Sequence, residues 1–300
     1  RLYDAVPDGF NSQILAQNLF SGADSFSMMA VPFFIMAGEF MNRGGITKRI
    51  VNTANALVGS VRGGLGYVSI LAILVFASMV GSAVASTAFL GAILIPMMVR
   101  AGYKRDTCTG LIAAGNILSP IMPPSVPMIV FGVQAGVSVT ELFMGGIAPA
   151  CYLSISLCIL WFFVAKRDKL PTAPRQSAKE VLKAIVDGLW ALALPLFILW
   201  GLRSGKFTPT EAGVIAAVYA LFVGLVVYRE LKLSMLMECL VSAAKSSSII
   251  MFLAAAAMVS SWMMTVANVP AIVTSILAPF IEHPTLLMLV TCGIVLLVGT

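Results

Sequence analysis

Long apolar runs, separated by short polar and basic stretches, make up almost the whole sequence. A helix needs about 20 mostly apolar residues to cross the hydrocarbon core of a membrane. Runs of this kind predict uninterrupted spans, or parts of spans, over 28–41, 143–164, 186–200, 212–228, 246–266 and 286–300. Three shorter helices are expected over 46–61, 233–244 and 269–281. The first of these is amphipathic and lies either on the membrane surface or against the helix bundle.

Two further apolar runs are interrupted by polar, helix-breaking clusters. The run 67–99 is broken at Gly81–Thr87, and the run 107–132 is broken at Asn116–Ser125. An interruption at membrane depth frees backbone N–H and C=O groups, which need partners from protein or from a wet cavity. Secondary transporters build their sites from such discontinuous helices. We therefore expect 67–99 to form a re-entrant helical hairpin whose tip contacts the second break.

The polar residues of the two breaks are the candidate ligands. Hydroxyl and carbonyl oxygens suit a small hard cation such as Na⁺, and the amino end of a half-helix suits an anionic solute. The alternatives are hydroxylated residues that only let helices pack closely at the tip, and a proline kink without a ligand at the second break. The candidate Na⁺ and substrate ligands are Gly81, Ser82, Ser86, Thr87, Asn116, Ser119, Pro123, Pro124 and Ser125. Na⁺ itself is assigned to Ser82, Ser86, Asn116 and nearby carbonyls.

Glu39 is a further candidate because it lies inside an apolar run. A carboxylate at membrane depth is by default a functional-site hypothesis. The alternative is that Glu39 lies near the membrane edge and pairs with Arg43, four residues later. Trp161, Trp190, Trp200 and Trp262 lie near the ends or in the interiors of predicted spans, and most of them are expected to be interfacial anchors.

Composition narrows the class of protein. The chain is 59% hydrophobic and 11% charged, with a mean hydropathy of +0.98, whereas soluble domains carry about 25% charged residues. We therefore expect an all-α polytopic membrane protein. The net charge of +6 comes from basic residues in short loops, so it indicates cytoplasmic loops rather than nucleic-acid binding. The re-entrant hairpin keeps nearly all of these loops on one face.

The chemistry-bearing residues do not indicate an enzyme. Five scattered cysteines and the single His283 provide no cluster suited to a transition metal, and the sequence has no Walker loop or nucleophile–base pair. We expect no cofactor apart from a coupling ion, so the energy for any transport comes from an ion gradient or from another chain.

The order of elements predicts two repeats. Residues 1–27 form an interfacial lead-in, 28–165 a first repeat, 166–185 a basic cytoplasmic linker and 186–300 a second repeat that stops before its hairpin tip. The segments 36–58 and 259–281 share the same order of elements, as expected for an inverted-topology repeat. The sequence begins at Arg1 and stops inside an apolar run at Thr300, so we expect it to be part of a longer protein.

Several motifs together resemble the large membrane subunit of TRAP (tripartite ATP-independent periplasmic) transporters over essentially the whole chain. The matching segments are Val31–Phe34 (VPFF), Ala37–Glu39 (AGE), Gly44–Gly45, Gly81–Thr87 (GSAVAST), Ser119–Ser125 (SPIMPPS) and Phe207–Ala212 (FTPTEA). Each motif alone is weak, and their combination is specific.

The resemblance implies an elevator-type, multi-pass, Na⁺-coupled importer of organic anions in a bacterial inner membrane. Such importers commonly take C4-dicarboxylates, sialic acid or other sugar acids. The implied partners are a small four-helix membrane subunit, a periplasmic substrate-binding protein, the organic-anion substrate and membrane lipid. The family's second hairpin and second broken helix would follow residue 300. Two alternatives stay open: a stand-alone sodium/dicarboxylate symporter without a binding protein, and a membrane scaffold subunit without a solute site.

Overall fold

The computed structural model describes residues 12–172 and 177–299, and in this part of the chain it is built from α-helices without a β-strand. The helices are α1 Ser12–Ala23, α2 Ala30–Arg43, α3 Ile46–Val58, α4 Gly64–Val80, α5 Ala83–Arg100, α6 Arg105–Gly115, α7 Val126–Ala135, α8 Val139–Arg167, α9 Ala178–Arg203, α10 Pro209–Phe222, α11 Leu233–Val266, α12 Val269–Leu277 and α13 Pro284–Gly299. Parts of the predicted lead-in and linker, residues 1–11 and 173–176, lie outside the described residues, as does Thr300.

Among the residues that the structure describes, five helices are long and apolar enough to cross a membrane. They are α5, α8, α9, α11 and α10 with the π-helical turn that continues it to Val227. These spans confirm the predicted all-α polytopic membrane class. The chain divides into two compact units, of which one takes in the described residues up to Asp24 together with those from Phe252 onward. The other unit, Ser25–Met251, contains every site discussed below.

Helices α4 and α5 run antiparallel and form the predicted hairpin. Its arms have 17 and 18 residues, and α5 is long enough to cross a membrane, so the re-entrant path of the hairpin stays a prediction. Near the tip, the rings of Phe76 and Phe89 meet edge to face with centroids 6.4 Å apart. Near the open end, the Ser69 hydroxyl contacts the Met98 sulfur at 3.4 Å. Because the two helices are in contact near the tip and again near the open end, the chain folds back on itself along the hairpin.

The structure shows how helix α3 packs and where helix α10 begins. Helix α3 packs on α9, where the Thr53 hydroxyl donates to the Ala184 carbonyl at 2.9 Å. Of the two positions proposed for 46–61, the structure therefore has the helix against the bundle. Helix α10 begins at Pro209 and is capped by reciprocal hydrogen bonds between Thr208 and Glu211, as its sequence predicts.

Two helix boundaries were predicted wrongly. Residues 233–244 and 246–266, predicted as separate elements, form the single helix α11, because no glycine or proline lies between them to end it. Helix α9 begins at Ala178 rather than at 186, because Ser177 and Glu180 form a capping box and the charged residues that follow favour helix. The proposed domain boundaries stay predictions.

Candidate functional site

The hairpin tip is a break of only two residues. Helix α4 ends at Val80, Gly81 takes a left-handed conformation with φ +62°, and Ser82 is extended. The Ser82 hydroxyl caps α5 by accepting from the Ala85 N–H at 3.4 Å. Ser86 and Thr87, which were grouped with the break in the sequence, are therefore in the first turns of α5.

The second break is a compact loop between α6 and α7. A single 3₁₀ turn, Asn116–Leu118, follows α6, and the extended Ser125 caps α7 by accepting from the Met128 N–H at 3.5 Å. The Ser125 hydroxyl also donates to the Pro120 carbonyl at 2.7 Å, which ties the two ends of the loop together. Pro123 and Pro124 are buried within it.

The two breaks touch, as the sequence predicts. The Ser119 hydroxyl donates to the Ser86 hydroxyl at 3.0 Å, and both side chains are fully buried. Gly81 lies against the first residue of α7, since a Cβ built on Gly81 would be 2.8 Å from the Val126 nitrogen. A larger residue at position 81 would push the tip away from the loop. We call this contact of Gly81, Ser86, Ser119 and Ser125, together with Asn116 in the adjoining 3₁₀ turn, the serine site.

Asn116 provides an unused acceptor at the serine site. Its side chain is buried, and its amide nitrogen donates to the Ile112 carbonyl at 2.8 Å. Its Oδ1 atom has no hydrogen-bond partner among the described residues. A buried acceptor without a partner costs about 1–3 kcal/mol, so the fold keeps it at the expense of stability. Such a group requires an explanation, and a bound ion is one.

The side chains of the serine site carry no charge, but the helix dipoles around it contribute a positive potential. The amino ends of α5 and α7 approach each other where Gly81 contacts Val126. Each amino end carries roughly half a positive charge from the aligned peptide dipoles. The arrangement can therefore offer oxygen ligands to a cation and a positive potential to an anion.

The other predicted site residues are occupied differently. The Thr87 hydroxyl donates to the Ala83 carbonyl at 2.7 Å within its own helix. Glu39 accepts from the Ser242 hydroxyl at 2.7 Å and lies 4.0 Å from Arg43, which also pairs with Glu238. Glu39 therefore has the i+4 partner that the sequence offered as an alternative, and its contacts are on α11 rather than at the serine site.

Sequence reasoning missed the residues that hold the open end of the hairpin. Trp161 is buried, donates from its indole nitrogen to the Gly63 carbonyl at 2.8 Å, and stacks in parallel on Tyr103 with centroids 6.3 Å apart. Its ring also fills the space that a side chain at position 66 would need. Trp161 is thus not an interfacial anchor. The glycines at 63, 64 and 66 were the available signal for a close contact, but they did not identify its partner.

The geometry can now be compared with known proteins. The family model described as "Tripartite ATP-independent periplasmic transporter, DctM component" matches residues 3–300. The chain belongs to this DctM family. The resemblance found in the motifs is therefore confirmed, and with it the assignment to transporter permeases rather than to enzymes.

Relatives with assigned names support the same family. The chain is 49% identical over 292 residues to the 2,3-diketo-L-gulonate TRAP transporter large permease protein YiaN of Escherichia coli, covering 97% of this chain and 69% of the relative. It is 50% identical over 292 residues to a putative TRAP transporter large permease protein of Haemophilus influenzae, with the same coverage. It is 37% identical over 293 residues to the C4-dicarboxylate TRAP transporter large permease protein DctM of Pseudomonas aeruginosa, covering 98% of this chain and 68% of the relative.

Proposed function

We propose that this DctM-family chain is part of a Na⁺-coupled importer of an organic acid, and that the serine site binds both ion and substrate. The observation that carries the proposal is the buried contact between Ser86 on the hairpin and Ser119 in the broken helix. Two interrupted helices that meet at buried hydroxyls leave a polar place inside a protein that is otherwise apolar at this depth.

The donor set of the serine site fits Na⁺. Hard cations prefer oxygen ligands, and the site holds three hydroxyls, the carbonyls of a broken helix and the Asn116 Oδ1 atom, which has no partner among the described residues. These side chains carry no charge, so a monovalent ion suits them better than a divalent ion, whose charge would stay uncompensated. Binding of Na⁺ would also satisfy the buried amide oxygen of Asn116.

The substrate class follows from the converging helix ends and from the relatives. The amino ends of α5 and α7 favour an anion. The relatives from E. coli and P. aeruginosa are named for 2,3-diketo-L-gulonate and for C4-dicarboxylates, both of which carry carboxylates. An organic acid held by its carboxylate between these helix ends is therefore the substrate class that we propose. The serine site has no basic side chain to pair with it.

The family's tripartite description supports the proposed partners. We expect a small four-helix membrane subunit and a periplasmic substrate-binding protein that delivers the acid. We also expect the chain to lie in the bacterial inner membrane with its basic loops in the cytoplasm, and the hairpin to move with the substrate in an elevator motion. This proposal requires the binding protein, which separates it from a stand-alone sodium/dicarboxylate symporter.

Uptake into proteoliposomes tests the proposal. The full-length permease and its small subunit are reconstituted, and uptake of labelled sugar acids and C4-dicarboxylates is measured with an inward Na⁺ or K⁺ gradient, with and without the binding protein. Uptake should need both Na⁺ and the binding protein, and Ser86→Ala should lower it. The matched control is Ser156→Ala, because the Ser156 hydroxyl bonds only within α8, to the Tyr152 carbonyl. Uptake that is equally fast in K⁺ would contradict Na⁺ coupling, and uptake without the binding protein would favour the stand-alone symporter.

A further inference from the structure

An apolar groove lies between α4 and α8, beside the end of α3. It has a volume of about 1020 Å³ and is lined by Tyr67, Leu71 and Leu74 of α4 and by Ile155, Cys158 and Phe162 of α8. We call it the α4/α8 groove. It shares no residue with the serine site, and the proposed transport chemistry does not use it.

One end of the groove is basic. Arg62 precedes α4 by two residues and Lys166 lies in the last turn of α8, so both belong to the same end of the groove. These are the charged residues among its lining, and both are exposed. Within the described residues neither takes part in an ion pair, so the positive charge at this end is available to a ligand.

The dimensions of the groove match one leaflet of a membrane. Its α8 wall extends from Ser154 to Lys166, which is about 18 Å along a helix. One leaflet contributes roughly 15 Å, half of the hydrocarbon core.

We propose that the α4/α8 groove binds an anionic phospholipid, with its acyl chains along α4 and α8 and its phosphate between Arg62 and Lys166. An apolar wall of leaflet length that ends in two unpaired positive charges complements a molecule with an apolar tail and one anionic head. The lipid would cover part of α4, the first arm of the hairpin whose tip forms the serine site.

Native mass spectrometry of the full-length permease with its small subunit tests this proposal. The delipidated complex is titrated with phosphatidylglycerol and, separately, with zwitterionic phosphatidylethanolamine. The double variant Arg62→Gln/Lys166→Gln should bind phosphatidylglycerol about 30-fold more weakly, because each basic residue contributes roughly a fivefold factor near an anionic lipid. The control Arg100→Gln/Arg105→Gln removes the same charge from exposed positions outside the groove and should leave binding unchanged.

A second variant tests the apolar part without changing charge. Cys158→Trp should fill the groove and reduce binding of both lipids, while thermal unfolding confirms that the complex is folded. Equal binding of phosphatidylglycerol by the two double variants would overturn the proposal. So would a Cys158→Trp variant that releases the small subunit but keeps its phosphatidylglycerol, because the groove would then hold a protein partner.

Discussion

Two polar clusters lie among the apolar helices of this protein, and they are built in opposite ways. The serine site has uncharged side chains, and its three serines are fully buried. The cluster of Glu39, Arg43, Glu238 and Ser242 between α2 and α11 is charged, and the side chains of Arg43 and Glu238 are 32% and 67% exposed. Burial is thus greatest where no charge is present.

The difference shows which cluster has capacity for a ligand. In the charged cluster each carboxylate already has a cationic partner, and Glu39 also accepts a hydroxyl hydrogen. Partly exposed ion pairs of this kind contribute at most about 1 kcal/mol. At the serine site Asn116 Oδ1 has no partner within the described residues. The proposed transport site therefore rests on an unsatisfied neutral oxygen rather than on a membrane carboxylate. The described residues hold two further buried hydroxyls without a partner, those of Thr47 on α3 and Ser247 on α11.

The largest effect is expected from Gly81→Ala. A Cβ at this position would have the left-handed φ of +62° and would lie 2.8 Å from the Val126 backbone nitrogen. The strain and the clash together cost about 2 to 5 kcal/mol, so the tip separates from the loop and uptake falls strongly. The control Gly102→Ala also has a positive φ, +91°, but its Cβ meets nothing within 4 Å. Equal losses in the two variants would mean that contact between the breaks is unimportant.

Ser119→Ala should have the next largest effect. It removes the donor to Ser86 and leaves that buried hydroxyl without its partner, at a cost of about 1–3 kcal/mol. If the hydroxyl also binds the ion, the Na⁺ concentration for half-maximal uptake rises about tenfold, equivalent to 1.4 kcal/mol. Na⁺-dependent uptake assays measure this directly. Normal Na⁺ dependence in this variant would show that the serine contact packs the helices but does not bind the ion.

Part of this site could be predicted because local sequence determines it. Helix α4 ends at a residue with positive φ, a conformation that glycine adopts readily, and Gly81 occupies that position. The prolines after Asn116 prevent a continuous helix. Folding the apolar run 67–99 into a hairpin then brings Ser86 toward Ser119. Thr208 and Pro209 specified the start of α10 in the same local manner.

The rest depends on distant contacts that local patterns do not encode. That Asn116 Oδ1 has no partner among the described residues depends on everything packed around it. The role of Trp161 depends on Gly63, which is 98 residues away in the chain. The sequence left the role of Glu39 open because its contacts come from distant parts of the chain. Ser242 donates to it, and Glu238 shares its partner Arg43; both lie about 200 residues later.

Trp161→Phe should have a moderate effect on stability. The substitution keeps an aromatic ring beside Tyr103 but removes the hydrogen bond to the Gly63 carbonyl, which is worth about 1 kcal/mol. The thermal midpoint of the purified permease should fall while its Na⁺ dependence stays normal. A changed Na⁺ dependence would show that the open end of the hairpin, and not only its tip, determines ion binding.

Glu39→Gln should have the smallest effect. It keeps an acceptor for Ser242 and weakens a 4.0 Å ion pair with Arg43, so the loss of stability should be about 1 kcal/mol or less. The Na⁺ concentration for half-maximal uptake should not change. A tenfold increase in that concentration would show that the ion site, or part of it, lies in the charged cluster.

The most direct measurement of the central claim is thermal unfolding of the full-length permease, with its small subunit, in matched NaCl and KCl. An ion that binds the folded state stabilises it by about 2.7 kcal/mol at 100 times its Kd. The account predicts that Na⁺ raises the thermal midpoint of the natural protein and of Glu39→Gln, but not that of Asn116→Leu. The account would be contradicted if Na⁺ stabilised Asn116→Leu as much as the natural protein and no longer stabilised Glu39→Gln.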